Sequence, residues 1–291
     1  MNIKADFLHE LSRFSLIIRK KVTSNYSGAR KSIAYGQGLT LKDHRNYVSG
    51  DDIRLLNWKM YGRLDKLYIK QFEEERTLSF RIIIDNSTSM DFGEKIKKFE
   101  YGSMIGLGFI YFALRDNEKF ELSTFSNQLE SVKPNRGVSQ LASIIDRLNN
   151  VKLGGESKFE DNMLRYSKFI KSRSLIVVVS DFLFDLKEIE NGLLRFGKDH
   201  ELFVVQVLDR EEKDLSLEGD VKLYDSESNT ELRTFISRRL KEKYMQKLNN
   251  HSSAIHDICE SVGATFRQVT TDDPIFDSFY NILKDKTHRI H

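Results

Sequence analysis

Asp85, Ser87 and Ser89 stand at alternate positions in residues 80–90 (FRIIIDNSTSM) and place one carboxylate and two hydroxyls close together. Hard oxygen donors of this kind suit a magnesium-like ion, which takes about six oxygens, several of them from water. The residues ahead of them, Arg81-Ile82-Ile83-Ile84, form a short β-branched run, the pattern of a strand buried on both faces. The D-x-S-x-S string therefore falls just past the carboxyl end of a predicted central strand, the edge of an open α/β sheet at which ligands bind. A second such run, residues 174–180 (SLIVVVS), also ends in an aspartate, Asp181. A plainer reading stays open, because aspartates after strands also cap helices and close turns.

A sheet has to bring the two aspartates together. Apolar or alternating runs near residues 80, 120, 174, 202 and 264, separated by helical patterns, predict a doubly wound, Rossmann-like and mainly parallel α/β sheet. A long buried helix is expected over 95–115, and its Gly102, Gly106 and Gly108 imply close packing against a neighbour. Strand 120–125 turns at Asn127 toward a partner near 130–133. Helices follow over 140–148 and 159–170, with Gly154-Gly155-Glu156-Ser157 as the loop before the second. Beyond strand 174–180 come a helix (186–196), a strand (202–208), a charged turn (209–214) and a hairpin insertion from 221–224 and 230–235. A charged helix (236–262), a strand (264–269) and a last helix (275–283) behind Pro274 close the chain.

The α/β domain is thus expected over residues 79–291, with a distinct segment over 1–78. Ile3, Phe7, Leu11, Phe14 and Ile18 recur at helical spacing and predict an amphipathic helix to about Lys21, followed by a loop over 23–38. Residues 36–76 show no sustained period, yet they hold the lone tryptophan, Trp58, among tyrosines and charges. Arg45, Asp51, Asp52 and Arg54 are expected to pair with one another around a turn at Gly50.

Composition narrows the function classes. With 291 residues, 40% hydrophobic, 11% aromatic and 31% charged, the chain reads as globular. Its longest apolar run, residues 104–114, is too short to span a bilayer, and no cleavage signal follows the amino-terminal apolar stretch, so a cytoplasmic protein without a transmembrane segment is expected. A single cysteine, Cys259, excludes an internal disulfide or a thiolate metal cluster and is expected to be buried. A net charge of +3 does not by itself indicate nucleic acid, although residues 1–79 carry 15 Lys and Arg against 9 Asp and Glu.

Together these residues resemble the metal-ion-dependent adhesion site (MIDAS) of von Willebrand factor A domains: the D-x-S-x-S string followed by Met90, the glycine loop at Gly154-Gly155, and Asp181 at a strand end. The upstream stretch resembles the signature of a bacterial family of such domains, catalogued as the fifty-eighth domain of unknown function. It carries that resemblance in Gly38, Arg45-Asn46-Tyr47, Gly50-Asp51-Asp52-Ile53-Arg54, Asn57-Trp58 and Phe72-Glu73-Glu74-Glu75-Arg76. The likeness runs from about Gly28 to the carboxyl terminus and includes the turn Leu208-Asp209-Arg210-Glu211-Glu212.

The resemblance implies a von Willebrand A-like fold with a Mg²⁺ site, Mn²⁺ or Ca²⁺ being alternatives, formed by Asp85, Ser87, Ser89 and Asp181. It also implies a docking role, with a MoxR-type AAA+ ATPase or other von Willebrand A-like proteins as partners. One position departs from the motif: the threonine expected from the glycine loop is absent, and either Ser157 or Glu156 takes its place. The expected function is a non-catalytic protein-interaction module with no catalytic residue. A metal-dependent phosphoester hydrolase is the alternative, using acids such as Asp91, Glu94, Asp181 and Asp185, although no histidine falls in the predicted strand-end loops and no phosphate-binding G-x-x-x-x-G-K-[ST] loop occurs. A third reading assigns the basic, aromatic front segment to an anionic membrane or nucleic acid. The acids Asp51-Asp52 and Glu73-Glu74-Glu75 oppose it.

Overall fold

The protein is described from a computed structural model that covers residues 40–73, 78–197, 200–215, 219–224 and 231–284. These divide into two compact units, one within Leu16–Thr77 and one from Leu78 onward. The helix and loop expected over residues 1–38 lie outside the described residues.

In the first unit, β1 (Thr40–Asn46) pairs antiparallel with β2 (Tyr68–Glu73), with a register shift between Leu41 and Asp43. A 3₁₀ turn (Ile53–Leu55) and the short helix α1 (Trp58–Leu64) lie between them. Leu56 and Ile69 are bridged to each other and buried. The charges of the Lys42–Arg45 stretch interrupt any hydrophobic alternation, which is why neither strand is visible as a sequence pattern. Half of the expected charge network forms. Arg45 donates two 2.7 Å bonds to Asp51, whereas Asp52 accepts from the backbone N–H of Arg54 and caps the 3₁₀ turn.

The second unit is built on a six-stranded sheet. Its strands are β3 (Ser79–Asp85), β4 (Lys119–Phe125), the two-residue β5 (Leu129–Glu130), β6 (Ser174–Ser180), β7 (Glu201–Leu208) and β10 (Thr265–Thr270). Two further strands, β8 (Gly219–Tyr224) and β9 (Glu231–Ile236), form a separate antiparallel hairpin. The sheet order is β10-β7-β6-β3-β4-β5, parallel throughout except for the β4–β5 pair. From β3 the chain moves outward to β4 and β5, then returns to β6 on the other side. The order therefore reverses between β3 and β6, which carry Asp85 and Asp181 at or just past their carboxyl ends, and such a reversal is where open α/β sheets form their ligand crevice.

Helices cover both faces. Between β3 and β4 runs α2 (Lys98–Arg115), and α3 (Val138–Asn150) and α4 (Phe159–Ser167) lead into β6. They are followed by α5 (Leu186–Leu193), the one-turn α6 (Arg210–Asp214), α7 (Arg238–Ser261) and α8 (Ile275–Lys284). On one face Ile83, Ile176 and Val178 meet Phe159, Met163, Ile189, Leu193, Ile255 and Cys259 from α4, α5 and α7. On the other, α2 lies directly against β3: a Cβ on Gly106 would stand 2.9 Å from Ile82 Cγ2, and one on Gly108 would stand 2.7 Å from the Phe279 ring. These glycines let the helix approach where a larger residue would force it off.

Several boundaries differ from the sequence reading; the helices expected over 159–170 and 186–196, for example, each end three residues earlier, at Ser167 and Leu193. α2 starts at Lys98, because a 3₁₀ turn (Thr88–Asp91) and a loop use the residues before it. The partner of β4 is only two residues long. The charged turn after β7 is helical, closed by a capping box in which the Asp209 side chain and Glu212 satisfy each other's backbone N–H groups. Cys259 is fully buried, and burial pushes its thiol up to about 12. Among the described residues no helix is long and apolar enough to cross a membrane.

Candidate metal centre

Asp85, the last residue of β3, is fully buried. Its Oδ1 accepts the Ser87 backbone N–H at 2.8 Å, and its Oδ2 accepts hydroxyls from Ser180 at 2.7 Å and Ser157 at 3.1 Å. The Ser87 and Ser89 hydroxyls lie 3.2 Å apart. Strand end, 3₁₀ turn and glycine loop thus converge on one carboxylate. Burial and the neighbouring charge of Asp181 push its pKa up to about 6, against the opposing hydrogen bonds from Ser87 and Ser180.

The glycine loop is fastened to the D-x-S-x-S loop mostly by backbone bonds. Thr88 donates its N–H (3.0 Å) and its hydroxyl (3.1 Å) to the Gly155 carbonyl, and Gly154 donates its N–H to the Asn86 carbonyl at 3.0 Å. Gly155 has a φ of 86°, and a Cβ there would lie 2.6 Å from Asn127 Nδ2, so this turn needs a glycine. The Asn127 side chain accepts the Glu156 backbone N–H at 3.2 Å. That arrangement delivers the Ser157 hydroxyl to Asp85 and leaves the Glu156 side chain exposed.

Asp181, one residue past β6, is 2% exposed and already holds a cation. Lys98 Nζ donates to Asp181 Oδ2 at 2.8 Å and to Glu212 Oε1 at 2.5 Å. Burial pulls the Lys98 ammonium down, but the charges of Asp181 and Glu212 outweigh it and hold it above the usual lysine range. Glu212 is pushed up by burial, partly offset by Lys98. Phe182 follows with a left-handed φ of 52°, its N–H bonded to the Ser180 hydroxyl and its carbonyl 2.7 Å from His251 Nε2.

All six residues singled out in the sequence lie at or beside this crevice, and Asp85, Ser87, Ser89 and Ser157 form its hydrogen-bonded centre. Four further residues hold it together: Ser180, Lys98, Glu212 and His251. Ser180 was legible as the hydroxyl ending an aliphatic run. A lysine in a helix gives no signal of burial, and His251 reaches the loop from the middle of α7. Three of the four acids considered for hydrolysis are otherwise engaged: Asp91 pairs with Lys97, Asp181 with Lys98, and Asp185 caps α5.

The donor set fits a hard divalent cation. Among the described residues no three His, Cys, Asp or Glu side chains form a metal-binding group, so an ion here would rest on Asp85 and the hydroxyls of Ser87, Ser89 and Ser157. Among the same residues no ammonium or guanidinium pairs with Asp85, so a buried carboxylate lacks a counter-charge.

A family model described as "Protein of unknown function DUF58" matches residues 43–254, a span that contains every residue of the crevice. The chain belongs to this family. This DUF58 protein is 22% identical over 269 residues to uncharacterised proteins of Mycobacterium tuberculosis and Mycobacterium bovis, with 90% of this chain and 84% of each relative covered. Among solved structures it is similar to the conserved hypothetical protein BatB from Bacteroides thetaiotaomicron, at 13% identity and a TM-score of 0.41, over 72% of this chain and 98% of that one. It is also similar to a von Willebrand factor type A protein from Catenulispora acidiphila, at 8% identity and a TM-score of 0.44, over 73% of this chain and 42% of that one.

Proposed function

We propose that this DUF58 protein is a non-catalytic interaction module whose crevice between β3 and β6 binds Mg²⁺ and, through it, an acidic side chain of a protein partner. The observation that carries this reading is Asp85: fully buried, rimmed by hydroxyls, paired with no ammonium or guanidinium among the described residues, and placed where the strand order reverses. Asp85, Ser87, Ser89 and Ser157 would hold the ion. Asp181 supports the site from its pair with Lys98. A bound Mg²⁺ supplies a Lewis acid that accepts a carboxylate oxygen from outside. The residues of this chain exclude bulk water beneath the site and fix the loops that present it.

The partner that the family resemblance suggests is a MoxR-type AAA+ ATPase. A hydrolase reading has no comparable support, since Asp91, Asp181 and Asp185 are held by Lys97, Lys98 and a helix cap.

Isothermal titration of the full chain with Mg²⁺ tests the proposal. Wild type should give a saturable heat, and Asp85→Ala should weaken binding at least about tenfold, the loss of a direct carboxylate contact. Equal heats in the two proteins would leave the D-x-S-x-S string as a structural turn. Binding of a purified MoxR-type ATPase should then be lost on adding EDTA.

A further inference from the structure

Lys98 occupies an unfavourable place for a base. It is the first residue of α2, where the helix dipole favours negative charge, and its side chain is wholly buried. Lysines normally extend their ammonium to water. Here Nζ is bound instead by Asp181 at 2.8 Å and Glu212 at 2.5 Å, with the Phe92 ring centre 5.9 Å away. Lys98 thus pairs with two acids, Asp181 and Glu212, and Asp181 is the carboxylate whose charge bears on Asp85.

We propose that Lys98 is a resident cation that sets the divalent affinity of the site. Its ammonium keeps Asp181 out of direct coordination and adds positive charge beside the ion, so that binding falls to Asp85 and the hydroxyls and is deliberately weak. Glu212 governs how much of that ammonium Asp181 must neutralise. This inference rests on the metal reading above and deepens it. It makes an unusual prediction of sign: removing Lys98 tightens metal binding, whereas neutralising Glu212 loosens it. A purely structural role for the triad would lower stability in both variants without moving affinity in opposite directions.

The test is Mg²⁺ titration of wild type, Lys98→Met, Glu212→Gln, Asp85→Ala and, as a control, Lys97→Met, with thermal unfolding followed in EDTA and in Mg²⁺. Lys98→Met should bind about tenfold more tightly or better, and its unfolding temperature should rise more steeply with Mg²⁺ than that of wild type. Glu212→Gln should bind several-fold more weakly, about threefold or more. Lys97, half-exposed and paired with Asp91, carries the same formal charge at the surface, so its removal should change affinity by less than about twofold. If Lys98→Met folds only when Mg²⁺ is present, the metal has replaced the ammonium and the proposal stands. If it does not fold at any Mg²⁺ concentration, Glu212→Gln decides, and an affinity within twofold of wild type overturns the proposal. Wild-type binding that depends on Asp85, with Lys98→Met and Glu212→Gln both unchanged, sinks this inference alone. Absence of Asp85-dependent binding in wild type and Lys98→Met alike sinks the metal reading with it.

Discussion

The central strands carry a buried ionic cluster at each end, and the two are built differently. At the amino end Arg81 of β3 lies beside Glu121 of β4, its register partner, at 2.5 Å, while its Nε donates to the Ser174 hydroxyl at 3.2 Å. Tyr166 donates its hydroxyl to the same Glu121 oxygen, and burial, followed by the Glu121 charge, pushes that phenol well above the usual range. One base meets one acid, both on regular strands. At the carboxyl end one base, Lys98, faces Asp181 and Glu212 with Asp85 close by, and all but Lys98 come from strand ends or a capped turn. A buried ion pair is weak evidence of function. Charge balance and backbone setting separate these two: the first cluster is closed, the second has acids to spare on loops at a strand crossover.

Breaking the closed cluster should give the largest effect. Arg81→Met leaves Glu121, 1% exposed, without its base, and the expected loss is about 3–5 kcal/mol of folding stability. Adding Glu121→Met to it should restore most of that loss, because a matched apolar pair replaces the ions. Urea denaturation of the single and double variants measures both. Mg²⁺ affinity in the double variant should stay at the wild-type value; a change would mean that the two ends of the sheet are coupled and the comparison fails.

The open cluster should show its surplus of acid in the pH dependence of stability. Burial and the Asp181 charge push the Asp85 carboxyl up to about 6 from an ordinary 3.8, so between these values the folded protein should hold a proton that the unfolded chain has released. Stability should therefore fall as pH rises from about 4 to about 6, by on the order of 1–3 kcal/mol. Asp85→Asn should flatten this part of the curve in EDTA. Added Mg²⁺ should reduce the slope in wild type, since an ion favours the ionised carboxylate. Identical pH profiles for the two proteins in EDTA would show that the surrounding hydroxyls already compensate the buried charge.

Much of this was readable in the chain itself. Residues 81–84 and 174–180 are aliphatic or β-branched enough to fix two central strands, and the polar residues that end them mark the crevice because a two-sided strand has no other reason to stop in hydroxyls and carboxylates. Gly106 and Gly108 announced the close approach of α2. The strands of the first unit were not readable, since a two-stranded ribbon in charged sequence buries too little to impose a period. Nor was Lys98. Its role depends on α2 beginning three residues later than the pattern suggests, and on Glu212 being turned inward by a capping box, neither of which is a local property of residue 98.

The smallest expected effect is the most discriminating for the glycine loop, where the motif residue is missing and Ser157 and Glu156 are rival substitutes. The Ser157 hydroxyl donates to Asp85 at 3.1 Å, whereas Glu156 is exposed and donates its backbone N–H to Asn127. Ser157→Ala should therefore weaken Mg²⁺ binding about threefold to tenfold, the loss of one hydroxyl from the donor set, while Glu156→Ala should change it by less than about twofold, because water and salt screen an exposed charge. Titrations at low and moderate salt separate the two, since only the Glu156 effect should fade as salt rises. The reverse ranking would mean that the loop slides by one residue when the ion binds. The strain would then fall on Gly155, whose φ of 86° and contact with Asn127 tie Ser157 to its present place.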